Sequence, residues 1–223
     1  MSTSQAIETA SLVIPEEMPN LPARKHVLDL DDFSPEEISA VIELARGMAE
    51  VLGRDIKKVP TLRGRDVVTL FYESSPRTRI SFEEAGKVLS ADVINMTASA
   101  SSVEKGESLL NTGLTLQAMG VDVIVIRHPF SGSPYLLAQH LDRVGIINAG
   151  DGSNEHPSQA LLDFFTIAEK KSTIEGVKIA FVGDLLYGRT VPSLAQGLTH
   201  FNPTMYFVSP PSLKMPEKIQ SVL

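Results

Sequence analysis

Six short runs of apolar, largely β-branched residues punctuate this chain: RDVVTLFY, ADVINMT, DVIVIRH, GIINAG, VKIAFVGDL and TMYFVSP. Near-continuous apolar strands are buried on both faces, and alternation with helical stretches implies a parallel sheet covered by its own crossover helices. The spacers fit that reading. RISFEEAGKVL and GESLLNTGLTLQAMG carry apolar residues at helical spacing, the second predicted to end at Gly120. Upstream, DFSPEEISAVIELARGMAEVL opens with Ser34 as N-cap, Pro35 at the first helical position and Glu37 three residues after the cap, a capping box ahead of an amphipathic helix.

The alternation runs once and then restarts after the helical stretch HPSQALLDFFTIAEKK. The expected division is a mobile tail over 1–25, a first domain over 26–156, a bridging helix over 157–171 and a second domain over 172–223. The expected fold class is α/β: two doubly wound parallel-sheet domains joined by a helix, the second incomplete in this chain. Two strands and one helix before MPEKIQSVL cannot cover both faces of an open sheet, so residues beyond Leu223, or a separate chain, are expected to complete it.

Composition removes several classes of function. With no cysteine among 223 residues, disulfides, zinc thiolate sites and thiol nucleophiles are excluded, and a reducing, cytoplasmic setting suits the chain. A net charge of -7 without a Lys/Arg run argues against nucleic acid as a partner. The first 25 residues lack the basic start and sustained apolar core of a signal peptide, and no apolar run approaches the roughly 20 residues of a membrane helix. Local cationic clusters can still hold a small anion.

Five stretches carry candidate chemistry. In FYESSPRTR, a helix starting at Ser75 would offer free N–H groups, the positive dipole end, Thr78 and two arginines, Arg77 and Arg79, to a phosphate; an ordinary N-cap with surface arginines is the alternative. Arg127, in RHP at a strand's carboxyl end, stands where open α/β sheets meet ligands, or is a rim arginine paired with a carboxylate. In GDGSNEHPSQ, His156 and Gln159 are three residues apart on one helix face and could both donate to an oxygen, unless His156 only terminates the turn. SASASSVEKGES, with Ser101 and Lys105, reads as a functional loop or a solvated linker. VGDLLYGRT sets Arg189 before a helix, and its lone GD is no dinucleotide fingerprint. No phosphate-binding P-loop occurs, and the five histidines lack the spacing of a zinc site.

Taken together, FYESSPRTR, KGES, RHP, GDGSNEHPSQ and GDLLYGRT occur in an order and approximate spacing that resemble the aspartate carbamoyltransferase catalytic chain, within the aspartate/ornithine carbamoyltransferase superfamily. The resemblance extends from about His26 to Leu223. It implies transfer of the carbamoyl group of carbamoyl phosphate to L-aspartate, early in pyrimidine synthesis, with no metal or organic cofactor. It further implies that Ser75, Arg77, Thr78 and Arg79 bind phosphate, that Thr78, Arg127 and His156 polarise the carbonyl oxygen, that Gln159 holds the carbamoyl nitrogen and that Arg189 binds a carboxylate of aspartate. Ser101 and Lys105 would reach a neighbouring subunit's site in a homotrimer with shared active sites. Regulatory or dihydroorotase-type subunits are further partners that the residues neither require nor exclude.

The resemblance also shows departures. Pro76 stands where the usual Ser-Thr-Arg-Thr-Arg run has threonine, and it has no N–H to offer a phosphate. Glu104 and Leu186 occupy positions where some relatives carry lysine, and the chain ends before the segment that supplies an arginine and a glutamine to the aspartate site. Ornithine carbamoyltransferase is the nearest rival, and an inactive homologue serving as a scaffold is a rival of another class. An arginine in GDLLYGRT suits a dicarboxylate better than a cationic amino acid.

Overall fold

The computed structural model of the chain describes residues 23–97, 108–221 and 223. Four parallel strands, β1 (Asp66–Phe71), β2 (Asp92–Thr97), β3 (Val123–His128) and β4 (Gly145–Asp151), form one sheet in the order β2-β1-β3-β4. Around it lie α1 (Pro35–Leu52), α2 (Pro76–Val88), α3 (Leu109–Ala118), α4 (Ser133–His140) and α5 (Pro157–Lys171). A second parallel sheet of two strands, β5 (Lys178–Val182) and β6 (Thr204–Val208), carries α6 (Thr190–Leu198) between them, with short helical turns at Thr199–Phe201 and Pro211–Leu213 and a final α7 (Glu217–Gln220). The α/β class and its parallel sheets are those the sequence predicts.

Alternation along the strands decides which side chains meet. Val68, Leu70, Ile124, Ile126 and Ile146 face α3 and α4 in one core with Leu116, Leu137 and Leu141, whereas Val67, Phe71 and Val125 form another with Phe82 of α2. A separate cluster joins Ile38 and Ile42 of α1, Ala160, Phe164 and Ala168 of α5, and Phe181, Leu194 and Leu198 from the second sheet and α6. The helix α5 is thus the shared wall between the two sheets. Its Phe164 is fully buried, and a Cβ added at Gly197 of α6 would stand 2.9 Å from that ring, so the two helices meet over a position without a side chain.

Two local features differ from the sequence reading. The eight-residue α4 carries no helical signal in the sequence: its Gly132 cap and Pro134 break the run of apolar periodicity that marks longer helices. Arg24 and Lys25, assigned to the tail, are held in place. Arg24 pairs with Glu37 at 2.8 Å and lies over the Phe33 ring, and Lys25 donates to the carbonyls of Leu141 and Asp142. Among the described residues, no helix is long and apolar enough to cross a membrane.

Candidate functional site

Open parallel sheets meet ligands outside the carboxyl ends of their strands, at the point where the strand order reverses. Here that point lies between β1 and β3. From β1 the chain passes through Glu73, Ser74 and Ser75 into α2, while β3 ends in Arg127 and His128. The register between β3 and β4 is broken just there. Ile126 faces Asn148 and His128 faces Asp151, so Ala149 and Gly150 together oppose Arg127, an irregularity of the kind that re-aims a side chain. Gly150 has φ of 116°, and a Cβ on it would lie 2.7 Å from Arg127 Nη1 and 3.0 Å from Arg189 Cζ. Only glycine suits this position on both counts.

These elements enclose a cleft of ≈ 720 Å³, lined by Ser75, Arg77 and Thr78 from the start of α2, Arg127 from β3, His156 and Gln159 from the start of α5, and Arg189 at the start of α6. Seven residues singled out in the sequence are therefore neighbours in space, drawn from four separate segments. Arg79 is the exception among the described candidates. Two positions along a helix turn a side chain about 200° from Arg77, and Arg79 lines an adjoining cleft of ≈ 270 Å³ with Ser75, Pro76 and Thr97. Ser101 and Lys105 lie outside the described residues.

Two of the three arginines that line the cleft, Arg127 and Arg189, share one acidic partner. Glu73 Oε2 lies 3.1 Å from Arg127 Nη2 and 3.8 Å from Arg189 Nη1, bridging the two guanidinium groups. Arg127 Nη1 also donates to the Ala149 carbonyl and Arg189 Nη1 to that of Gly152. Burial, and then the nearby Arg189 charge, hold Arg127 below the ordinary guanidinium range, with Glu73 opposing them. Its buried Nε has no hydrogen-bond partner among the described residues. An anion entering the cleft would meet donors already aimed and partly desolvated.

His156, buried at the start of α5, is shifted down to about 4, first by burial and then by the charges of Arg189 and Arg127. Near neutral pH its ring is uncharged and has one N–H to donate. Ser158 Oγ stands 3.3 Å from Nδ1, and the tautomer that lets Ser158 donate there leaves the proton on Nε2. Gln159 Nε2 donates to Asp163 Oδ1 at 3.1 Å, and burial raises the Asp163 carboxyl while that bond opposes the rise.

Sequence reasoning passed over several residues. Glu73 stands inside a quoted motif, and its signal was available: it is the one acid in a stretch of donors. Asp151, fully buried, accepts from Gly132 N, Asn148 Nδ2, Glu155 N and Asn154 Nδ2, and so shapes the turn that delivers His156. No spacing rule announces a carboxylate satisfied from four directions.

Residues 25–169 match the family model described as aspartate/ornithine carbamoyltransferase, carbamoyl-P binding domain. The chain belongs to the aspartate/ornithine carbamoyltransferase family. Within it, the chain is 55% identical over 194 residues to the aspartate carbamoyltransferase catalytic subunit of Roseiflexus castenholzii, covering 87% of this chain and 61% of that protein. The corresponding subunit of Desulforamulus reducens is 54% identical over 199 residues, covering 89% and 63%. The chain thus spans about three fifths of the length of these curated relatives. Among solved carbamoyltransferases, the catalytic subunit of M. jannaschii aspartate transcarbamoylase superposes with a TM-score of 0.81 at 47% identity, over 88% of this chain and 64% of that one. The Trypanosoma cruzi enzyme in complex with carbamoyl phosphate and aspartate gives 0.82 at 37% identity, over 88% and 62%.

Proposed function

We propose that this chain binds carbamoyl phosphate in the cleft and takes part in transferring its carbamoyl group to the amine of L-aspartate, giving N-carbamoyl-L-aspartate and phosphate. The observation that carries this reading is the convergence of Arg77, Arg127, His156 and Arg189 on one cleft at the switch point of a parallel sheet. Ser75, Arg77 and Thr78 would take the phosphate at the helix start, where dipole and side-chain charge reinforce each other, while Arg79, turned into the adjoining cleft, would not touch it. Thr78, Arg127 and the neutral His156 would donate to the carbamoyl oxygen, and Gln159 would hold the carbamoyl nitrogen. Arg189 would take a carboxylate of aspartate.

In the reaction the amine nitrogen forms a bond to the carbonyl carbon, the oxygen gains negative charge, and the bond to phosphate then breaks. Donors aimed at that oxygen are worth about 3 kcal/mol each when they act as an oxyanion hole. Holding two substrates in register contributes up to about 7 to 11 kcal/mol more. The departing phosphate accepts the proton that the amine loses, so no protein base is required. Arginines on both sides of the junction offset the repulsion between two anionic substrates.

The same reading carries two finer proposals. The segment holding Ser101 and Lys105 would complete a neighbouring copy's site in a homotrimer, and the cysteine-free chain would work in the cytoplasm. Carbamoyl transfer assayed with aspartate and with ornithine, beside calorimetric titration with carbamoyl phosphate, tests the proposal. Saturable binding with transfer to aspartate alone is expected; absence of carbamoyl phosphate binding would overturn it, and transfer to ornithine would reassign the acceptor.

A further inference from the structure

The cleft is rich in donors and poor in acceptors. Ser75, Arg77, Thr78, Arg127, the neutral His156 and Arg189 all have N–H or O–H groups to offer. Gln159, on the same wall, has a side chain whose two ends differ in kind: Nε2 donates and Oε1 accepts, in groups of nearly equal size. A glutamine can present either end, so whatever fixes its amide decides what the wall can recognise.

One turn further along α5 stands Asp163, half-buried and also lining the cleft. Gln159 Nε2 donates to Asp163 Oδ1 at 3.1 Å. Burial, the largest influence on this carboxyl, raises it, and the bond from Gln159 lowers it, as expected of a donor that serves the ionised form. An ionised carboxylate has no proton to give, so it can hold Nε2 and cannot hold Oε1. No ion pair to Asp163 occurs among the described residues, Arg127 and Arg189 being turned to Glu73. Oε1 in turn accepts no hydrogen bond from a described residue.

We infer that Asp163 is a positioning residue that sets specificity: by holding Nε2 it aims Gln159 Oε1 at the ligand, so that the cleft favours an acyl phosphate with an N–H beside its carbonyl over one with a methyl group there. The inference deepens the functional reading above, in which Gln159 holds the carbamoyl nitrogen, and its geometry stands without it. Carbamoyl and acetyl phosphate share the phosphate and the carbonyl oxygen and differ in NH2 against CH3. A carbamoyl N–H satisfies Oε1. A methyl group leaves it desolvated and unpaired, which is how sites built around a hydrogen bond reject analogues that lack it. Reversing the amide would set Nε2 against the ligand's NH2, donor against donor.

Calorimetric titrations near neutral pH with carbamoyl phosphate, acetyl phosphate and inorganic phosphate, beside thermal melts, separate this role from the slight helix stabilisation of any Gln–Asp pair four residues apart. The unaltered chain is expected to bind carbamoyl phosphate about fivefold more tightly than acetyl phosphate, the worth of one hydrogen bond. Asp163→Glu, still an acceptor, should keep that ratio. Asp163→Asn, able to accept or donate, should cut it about twofold, and Asp163→Lys, a donor only, should abolish it. The charge added by lysine acts on all three anions alike, so the ratio remains the readout. With Gln159→Leu in place, the Asp163 variants should leave the ratio unchanged. A folded Asp163→Lys chain that keeps the full preference, or an Asp163 effect on the ratio that survives Gln159→Leu, overturns the inference; should the lysine variant fail to fold, Asp163→Asn decides by the same criteria. An unaltered chain that binds phosphate without preferring carbamoyl phosphate overturns it too. Binding of none of the three removes the functional reading instead, and the Gln159 side-chain amide protons, followed by NMR, then decide the geometry: severalfold faster exchange in Asp163→Ala supports it and equal exchange overturns it.

Discussion

Two kinds of helix start occur in this molecule. At α1, Ser34 Oγ accepts from Glu37 N at 3.2 Å, the Glu37 carboxylate accepts from Ser34 N at 2.9 Å, and Arg24 braces the same carboxylate. At α2 and α5 the capping residues are Ser75 and His156, each followed by proline, and neither side chain bonds the helix's first N–H groups. Ser75 Oγ contacts the side chain of Thr78 instead. The capped end has committed its donors to the fold, whereas the starts of α2 and α5 open on the cleft. An anion placed there takes the part that a capping side chain takes at α1. Helix starts built for stability and those kept for binding thus differ in where their capping side chains go.

The largest expected departure comes from Arg77→Ala. It should weaken phosphate binding roughly 100-fold, the loss of charge-assisted hydrogen bonds worth about 3 kcal/mol, while thermal unfolding stays unchanged; titration calorimetry beside a melt reads both. Loss of folding stability instead would erase the distinction between the two kinds of start.

Almost as large, but normally hidden, is the pH dependence at the α5 start. His156 lies at about 4 against an ordinary 6.5, so its contribution to stability is complete above pH 6.5 and is lost as pH falls through 4. Glu155 lies at about 7 against an ordinary 4.5, so its contribution is complete below pH 4.5 and is lost as pH rises through 7. The slopes oppose each other between pH 4.5 and 6.5, and each spans at most about 3.4 kcal/mol at 1.36 kcal/mol per pKa unit. Urea unfolding of Glu155→Gln should therefore show stability lost only on acidification below pH 6.5, and His156→Gln only on alkalinisation above pH 4.5. Flat profiles in both variants would contradict these assignments.

Two exchanges of side chain sharpen the contrast at smaller amplitude. Ser34→Ala should cost about 1 kcal/mol of stability, the usual value of an N-cap, without touching phosphate affinity. Ser75→Ala should do the reverse, leaving stability within about 0.5 kcal/mol and lowering phosphate affinity several-fold. Smallest is Pro76→Thr, which restores an N–H at the first position of α2 and should tighten phosphate binding about twofold, the low end of one hydrogen bond's worth. Unchanged affinity would mean that this N–H does not point at the ligand.

Legibility in the sequence followed the range of the interactions involved. Strands and long helices were readable because periodicity and capping are local, as at Ser34 and Glu37. His156 and Gln159 were assigned to one face and do line one cleft, since three residues make nearly a full helical turn. The same arithmetic, applied to Arg77 and Arg79, separates them into adjoining clefts. Long-range pairings left no such trace. Nothing near Arg127 in the chain announces the mismatch with β4 that aims it, nor the opposition of Glu155 to Asp29 and Asp31 across more than a hundred residues.

Glu73 gives the cleft a resident tenant. Because its carboxylate already lies between Arg127 and Arg189, a visiting ion that reaches these two guanidinium groups must exchange with it. Chloride has little to offer in that exchange, whereas a dianion offers more than the side chain it displaces. The pocket is in this sense a valence filter, and equal ionic strengths of chloride and sulfate in competition with carbamoyl phosphate would reveal its threshold.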